Sequence, residues 1–92
     1  MTQGTARKRY LLFSSDGPVD GETQKEFTRL ILERYPKMKK GVIWFEGSLI
    51  VKTNHFQVAE MERSLALTVG DKSLVPARVS GSISKLKRLV LR

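Results

Sequence analysis

The sequence contains no cysteine, which excludes disulfides, thiolate metal sites and cysteine nucleophiles. No apolar run approaches the length of about 18 residues that a membrane-spanning helix requires. The first ten residues include basic side chains but no apolar signal core. These absences favour a cytoplasmic protein. Hydrophobic residues make up 40% of the 92, enough for a packed core, so we predict a single domain over residues 1–92 with residues 1–6 as a flexible arm.

The signatures of catalysis are also missing. His55 is the only histidine, no carboxylates are clustered near it, and we expect it to have a structural or surface role. The nine acidic residues are scattered, which argues against a general acid–base pair. The chain has no glycine-rich phosphate loop and no serine nucleophile motif. We therefore predict no catalytic residues and no cofactor or metal bound by this chain.

Positive charge is abundant and concentrated in three stretches. The chain has 17 basic residues and a net charge of +8. Eleven of the basic residues lie in residues 1–13, 34–40 and 80–92, which contain no acidic residue, whereas the rest of the chain has six basic and nine acidic residues. Segregated cations are typical of a surface that binds a polyanion, because each neutralised phosphate releases condensed counterions. The composition favours a nucleic acid over an anionic membrane or a merely solvated basic surface.

The first half of the chain predicts a strand, a helix and a hairpin. Residues 9–14 form the strand, and turn residues follow it. Asp20 is a good N-cap, and Pro36 cannot continue the helix, which should end near Tyr35. The apolar stripe of this helix has helical spacing and consists of Phe27, Leu30, Ile31 and Tyr35.

The hairpin is predicted from Glu46-Gly47, a two-residue turn between residues 41–45 and 48–52. This turn fixes the register and places apolar side chains on both faces of the hairpin. One face carries Val42, Trp44, Leu49 and Val51, and the other carries Ile43, Phe45 and Ile50. Because both faces are apolar, each must be covered. We assign the second set to a protein interface, covered by the C-terminal helix, by a partner or by both.

The second half predicts two helices and one strand. Asn54 caps a helix that runs to about Leu67, with Val58, Met61 and Leu65 on its buried side. Gly70-Asp71 forms a turn, and residues 74–80 form the last strand. The side chains of Val75, Ala77 and Val79 are expected on one face of that strand. Pro76 argues for an edge position or the beginning of a strand. Ser82 caps a short amphipathic helix over residues 83–91.

The resulting order, β-α-β-β-α-β followed by a helix, is typical of ferredoxin-like and RRM-like α+β domains. We therefore predict a four-stranded antiparallel sheet with two helices on one face and a short C-terminal helix. RNA-recognition domains of this order stack bases on aromatic side chains of the first and third strands. The third strand here, residues 48–53, has no aromatic residue. RNA would then be bound mainly by charge and shape.

Four segments resemble one known family. They are Lys8-Arg-Tyr-Leu-Leu-Phe13, the helix start Asn54-His55, Ser64-Leu-Ala-Leu-Thr68 and, most specifically, Val79-Ser-Gly-Ser-Ile-Ser-Lys-Leu-Lys-Arg88. Together they resemble protein component 2 of archaeal and eukaryotic ribonuclease P, its small α/β protein subunit. The resemblance covers roughly residues 7–90 in order.

The resemblance implies a non-catalytic subunit of an endoribonuclease. In ribonuclease P the RNA removes the 5′ leader from precursor tRNA with Mg²⁺ ions that it holds itself, and the proteins support its fold. The implied partners are ribonuclease P RNA, precursor tRNA indirectly, the TIM-barrel-like protein component 3 and a second copy in a two-plus-two assembly. The alternative, which needs no resemblance, is a ferredoxin-like protein-interaction or regulatory module without an RNA role.

The predicted RNA-binding residues are those of the three basic stretches and of the last helix start. The first role falls to Lys85, Lys87 and Arg88, with Gly81 and Ser82 offering backbone N–H groups to a phosphate. The second and third groups are Arg7, Lys8 and Arg9, and Lys37, Lys39 and Lys40. Fixed cations at these positions would reduce phosphate repulsion between packed RNA helices and lower the magnesium requirement.

Overall fold

The computed structural model describes residues 7–15, 17 and 19–91, so the predicted arm and Arg92 lie outside the described part. Its strands are β1 Lys8–Ser14, β2 Val42–Phe45, β3 Ser48–Asn54, β4 Leu67–Val69 and β5 Lys72–Ser80. Its helices are α1 Gly21–Arg34, α2 Val58–Ser64 and α3 Ile83–Leu91, and a single 3₁₀ turn, Pro36–Met38, precedes β2.

The strands form one antiparallel sheet in the order β2-β3-β1-β5-β4. The predicted α+β class with an antiparallel sheet and a C-terminal helix is confirmed. The predicted count of four strands is wrong, because β4 pairs with the start of β5. The sequence periodicity predicted that α2 would run to about Leu67, but the helix ends at Ser64. Thr68 and Val69 are β-branched and favour a strand, and Gly70 closes the turn with a φ of 62°.

The α1 helix has the predicted cap and stop. The Asp20 carboxylate accepts a hydrogen bond from the Thr23 N–H at 2.8 Å, and this bond holds the pKa of Asp20 below its ordinary value. At the other end Pro36 follows Tyr35, whose N–H donates to the Ile31 carbonyl at 2.8 Å. Phe27 and Ile31 are fully buried. The stripe read from the sequence therefore fixes α1 on the sheet.

The β2–β3 hairpin has the predicted register, from Phe45 opposite Ser48 to Val42 opposite Val51. Both turn residues have positive φ, 52° at Glu46 and 77° at Gly47, as a type I′ turn requires. The register divides the apolar side chains between two clusters, one on each face of the sheet. The first cluster includes Leu11, Phe13, Phe27, Ile31, Leu49, Val51, Met61 and Leu74, and the second is built on Leu12, Ile50 and Leu86.

The second face of the sheet is covered by α3. Leu86 is fully buried against Leu12 and Ile50, and the apolar residues Ile83, Leu89 and Val90 pack around it. The observed bounds of α3, Ile83–Leu91, are those predicted. The helix supplies the cover that the sequence required for this face, so the sheet has helices on both sides.

A bulge in the β1–β5 pairing changes which β5 side chains face the core. Leu12 is opposite Arg78 but Phe13 is opposite Pro76, so Ala77 is an extra residue. As a result Leu74 and Val79 both pack in the first cluster although they are five positions apart. The prediction that Val75 and Val79 share a face is wrong, and Val75 is 47% exposed.

Pro76 lies at an edge position of β5, as was expected. The β4 strand pairs only with residues 72–74 of β5. Among the described residues, the outer side of β5 is therefore without a partner strand at Pro76, as suits a residue that has no N–H to donate.

The start of α2 differs from the prediction. Asn54 is the last residue of β3, and its side-chain oxygen accepts hydrogen bonds from the N–H groups of Phe56 and Gln57, both at 2.9 Å. These bonds stabilise a turn over residues 55–57, and the helix begins at Val58. The helix predicted over 54–67 is thus a turn, a seven-residue helix and the beginning of β4.

Candidate nucleic-acid interface

The antiparallel topology brings separate basic stretches to one end of the sheet. At this end β1 and β2 begin while β3 and β5 end. Three observations fix the arrangement: Lys8 is opposite Asn54, Tyr10 is opposite Ser80, and the Lys52 N–H donates to the Gly41 carbonyl at 2.7 Å. We call the cations gathered here the basic end. They are Arg7, Lys8, Arg9, Arg34, Lys37, Lys39, Lys40 and Lys52.

The start of β1 is anchored at the basic end by His55. The Arg7 N–H donates to His55 Nδ1 at 2.9 Å, and the His55 N–H donates to the Arg7 carbonyl at 3.0 Å. His55 therefore has the structural role that was predicted. Arg9 lies nearer to the last helix, because a Cβ added at Gly81 would be 3.3 Å from Arg9 Nη1. The structure thus places the first basic stretch beside the residues that lead into α3.

The second basic stretch is held by a short chain of backbone hydrogen bonds. The Met38 N–H donates to the Tyr35 carbonyl at 3.0 Å, and the Gly41 N–H donates to the Met38 carbonyl at 2.8 Å. Met38 is buried, while Lys37, Lys39 and Lys40 are exposed. Within the described residues these three lysines have no carboxylate at ion-pair distance. Their charge is therefore available to a ligand.

A cleft of about 630 Å³ opens between this stretch and the end of β3. Four of its lining residues are the cations Arg34, Lys37, Lys40 and Lys52, and no acidic residue of the described chain lines it. Its remaining lining is polar or apolar: Tyr35, Pro36, Met38, Gly41, Thr53, Asn54 and Gln57. A concave surface of this size with cations and an apolar part suits an anion that also carries an apolar group.

Gly41 sets the shape of the cleft. A Cβ at this position would lie 2.7 Å from the Lys52 carbonyl oxygen, which is too close for any side chain. The absence of a side chain allows residues 38–41 to approach β3 closely and to bond with Lys52. The position of the second basic stretch against β3 therefore depends on this glycine.

The third basic stretch is not gathered at the basic end. Lys85 and Arg88 are exposed on α3, and Lys87 Nζ lies 5.0 Å from the centre of the Phe45 ring, at the opposite end of β2. The predicted phosphate donors at the helix start are partly used, because the Ser82 N–H donates to Ser80 Oγ at 3.0 Å. Gly81 is exposed beside Arg9. These cations extend along α3 across the second face.

The predicted protein-interface residues lie beneath α3. Ile50 is completely buried in the second cluster, and Ile43 and Phe45 are half-buried beside it. Ile50 has no exposed surface, so it cannot contact another protein while α3 is in place. The sequence could show that this face needs a cover, but not that one helix is sufficient to bury Ile50.

Sequence reasoning missed two residues near the basic end. Lys52 lines the cleft but lies outside the three acid-free stretches. Phe56 is 61% exposed, and its ring centre is 4.0 Å from that of His55. The sequence did indicate that Phe56 is exposed, because Phe56 does not belong to the apolar stripe of Val58, Met61 and Leu65. An aromatic residue off the stripe of a helix start is expected to face solvent.

Four carboxylates lie around turns at the opposite end of the sheet. Asp20 and Glu22 lie at the start of α1, Glu46 in the hairpin turn and Asp71 in the β4–β5 turn. On the exposed face of α1, Arg29 forms ion pairs with Glu26 and Glu33. The hydrogen bond from Arg29 lowers the pKa of Glu26 and raises that of Arg29. Positive charge is therefore more concentrated at the basic end than at this end.

Comparison with known proteins gives no match: no family model fits the chain, and no curated protein and no solved structure is significantly similar to it. Among residues 7–15, 17 and 19–91, no group of three His, Asp or Glu side chains is placed to hold a metal ion. Over the same residues, the helices are too short or too polar to cross a bilayer.

Proposed function

We propose that this chain is a non-catalytic RNA-binding subunit of a ribonuclease P, which supports the catalytic RNA in removing the 5′ leader from precursor tRNA. The observation that carries the proposal is the basic end, where eight cations from four segments meet. The resemblance of residues 79–88 to protein component 2 directs the proposal to ribonuclease P. The partners are its RNA and a barrel-shaped component 3.

The proposed fold assignment is a ferredoxin-like unit with one added edge strand. Without β4, the strand order is β2-β3-β1-β5, with α1 and α2 packed on one face. This arrangement supports the assignment, and β4 with its turn to β5 is then an addition at the edge. In this reading α3 covers the face on which RNA-recognition domains stack bases, so RNA does not stack on the strands of that face.

The mechanism follows from charge. RNA helices that pack closely repel one another through their phosphates, and free Mg²⁺ normally reduces this repulsion. Lysines and arginines carried by the backbone at one end of the sheet reduce the same repulsion. If each of the eight cations neutralises one phosphate of an RNA duplex, the logarithm of the binding constant falls with the logarithm of salt concentration with a slope of about −7.

Reconstitution tests the proposal. Ribonuclease P RNA of the archaeal type is mixed with component 3 and this chain, and leader removal is measured over a magnesium series. We expect the parent chain to move activity to lower magnesium. The variants Lys37→Ala/Lys39→Ala/Lys40→Ala and Lys85→Ala/Lys87→Ala/Arg88→Ala should lose much of this effect.

A control removes two cations from the opposite end of the sheet, Lys25→Ala/Lys72→Ala, and should behave like the parent. If the parent forms no complex with the RNA at near-physiological salt, with or without component 3, the proposed function is wrong. Tight, salt-insensitive binding to a protein without RNA affinity would instead favour an interaction module.

A further inference from the structure

The cleft at the basic end has features that a flat phosphate-binding surface does not need. It is about 630 Å³, within the range of small-ligand sites, and larger than a phosphate group alone requires. Besides its four cations it is lined by Tyr35, Pro36 and Met38. These apolar surfaces attract no phosphate. They fit the ribose or base of a nucleotide whose phosphate is held by the cations.

An exposed aromatic ring lies in the turn beside this cleft. Asn54 and Gln57 line the cleft, whereas Phe56, which lies between them in sequence, is outside the lining and is 61% exposed. The Asn54 side chain bonds the Phe56 N–H, and the ring is supported by His55 at 4.0 Å. His55 is fixed in turn by the Arg7 N–H at 2.9 Å. The backbone of the turn is thus fixed by hydrogen bonds, and the Phe56 ring is exposed to solvent next to His55.

An exposed aromatic ring next to a basic surface is an arrangement that can bind unpaired bases. Every base has a π-face that can stack on such a ring, whereas the bases of a duplex are covered by their neighbours. An acidic peptide would also be attracted by the lysines, but its carboxylates offer no aromatic face to stack on Phe56. The combination of cleft and ring therefore favours a single-stranded nucleic acid.

We propose that the cleft and Phe56 together bind an unpaired nucleotide of the RNA, with a phosphate on Lys37 and Lys40 and a base stacked on Phe56. This inference rests on the proposed function and deepens it. It adds Phe56, a base-stacking residue, to a surface that was predicted from the sequence by its positive charge alone. It also selects loops, bulges and ends of the RNA, where bases are unstacked, over continuous helices.

Fluorescence anisotropy with a labelled RNA hexanucleotide and with a duplex of the same sequence tests the inference. We expect Phe56→Ala to lower the affinity for the hexanucleotide about fivefold to a hundredfold and to leave duplex binding unchanged. Its control is Leu91→Ala, another exposed apolar side chain, which should have no effect on either RNA.

The cations are tested by their salt dependence. Lys37→Ala/Lys40→Ala should reduce the salt slope for the hexanucleotide by about 1.4, since each phosphate contact to a single strand contributes about 0.7. Lys25→Ala/Lys72→Ala removes the same charge from the opposite end and should leave the slope almost unchanged. The fluorescence of Trp44, which is packed in the first cluster, reports whether each variant is folded.

The outcomes separate this inference from the proposed function. If reconstituted ribonuclease P responds to the parent chain but folded Phe56→Ala binds the hexanucleotide as the parent does, the inference is wrong and the function stands. Equal losses for hexanucleotide and duplex would also overturn it. A hexaglutamate peptide that binds the cleft more tightly than the hexanucleotide would assign the cleft to a protein. Normal hexanucleotide binding without any effect on leader removal would overturn the function instead.

Discussion

Replacing Leu86 by alanine tests whether α3 is an integral part of the fold. Leu86 is 1% exposed and is the only buried residue that α3 contributes to the second cluster in the described chain. Burial of a leucine is worth about 1.5–3 kcal/mol, and the cavity raises the cost of Leu→Ala to about 2–5 kcal/mol. A domain of this size has a total stability of about 5–14 kcal/mol, so the loss is a large fraction.

The matched control is Leu91→Ala in the same helix. Leu91 is 65% exposed, so its replacement should change the free energy of unfolding by less than about 0.5 kcal/mol. Urea unfolding followed by Trp44 fluorescence measures global stability, and amide hydrogen exchange over residues 83–91 measures the docking of α3. A nine-residue helix is marginal alone, so it should exchange rapidly once undocked. If Leu86→Ala and Leu91→Ala agree in both measurements, α3 is not packed as described.

Two further predictions concern the backbone and pH. Gly41→Ala should destabilise the fold by about 1–3 kcal/mol, because its Cβ would be 2.7 Å from the Lys52 carbonyl oxygen. Gly21→Ala, whose Cβ would have no atom within 4 Å, should stabilise α1 slightly. Urea unfolding measures both changes, and changes of the same sign would contradict the prediction. The lowered pKa of Asp20 stabilises the folded state above the ordinary pKa of an aspartate, and this contribution is lost as pH falls through the folded-state pKa. The melting temperature of Asp20→Ala should therefore lie below that of the parent at pH 6, and the difference should shrink towards pH 2; a difference that stays constant would show that the charge of Asp20 is not what stabilises the cap.

Local chemistry predicted the elements that are fixed by neighbouring residues. The cap at Asp20, the stop at Pro36 and the two-residue turn at Glu46-Gly47 each depend on a few adjacent residues, and the structure confirms all three. The hairpin register followed from the turn length alone. The bounds of α3 followed from the cap residue Ser82 and the apolar spacing that comes after it.

The features that were missed depend on contacts between distant segments. The β4 strand is only three residues long and is defined by pairing with β5, so its sequence is ambiguous between strand and helix end. The bulge at Ala77 exists because both Leu74 and Val79 pack in the same core, which no alternation rule anticipates. The cleft combines α1, the 3₁₀ turn and β3, and only the folded chain brings Lys52 to Lys37 and Lys40.

The concentration of positive charge at the basic end gives the molecule an electric dipole moment. In the field of a polyanion such a body rotates before contact, so that its positive pole arrives first. Association between macromolecules is normally slowed by collisions in the wrong orientation. Rotation in the field makes such collisions less frequent and so raises the association rate. The gain depends on a field that extends only about 8 Å at physiological ionic strength, so the capture rate should rise steeply in dilute salt.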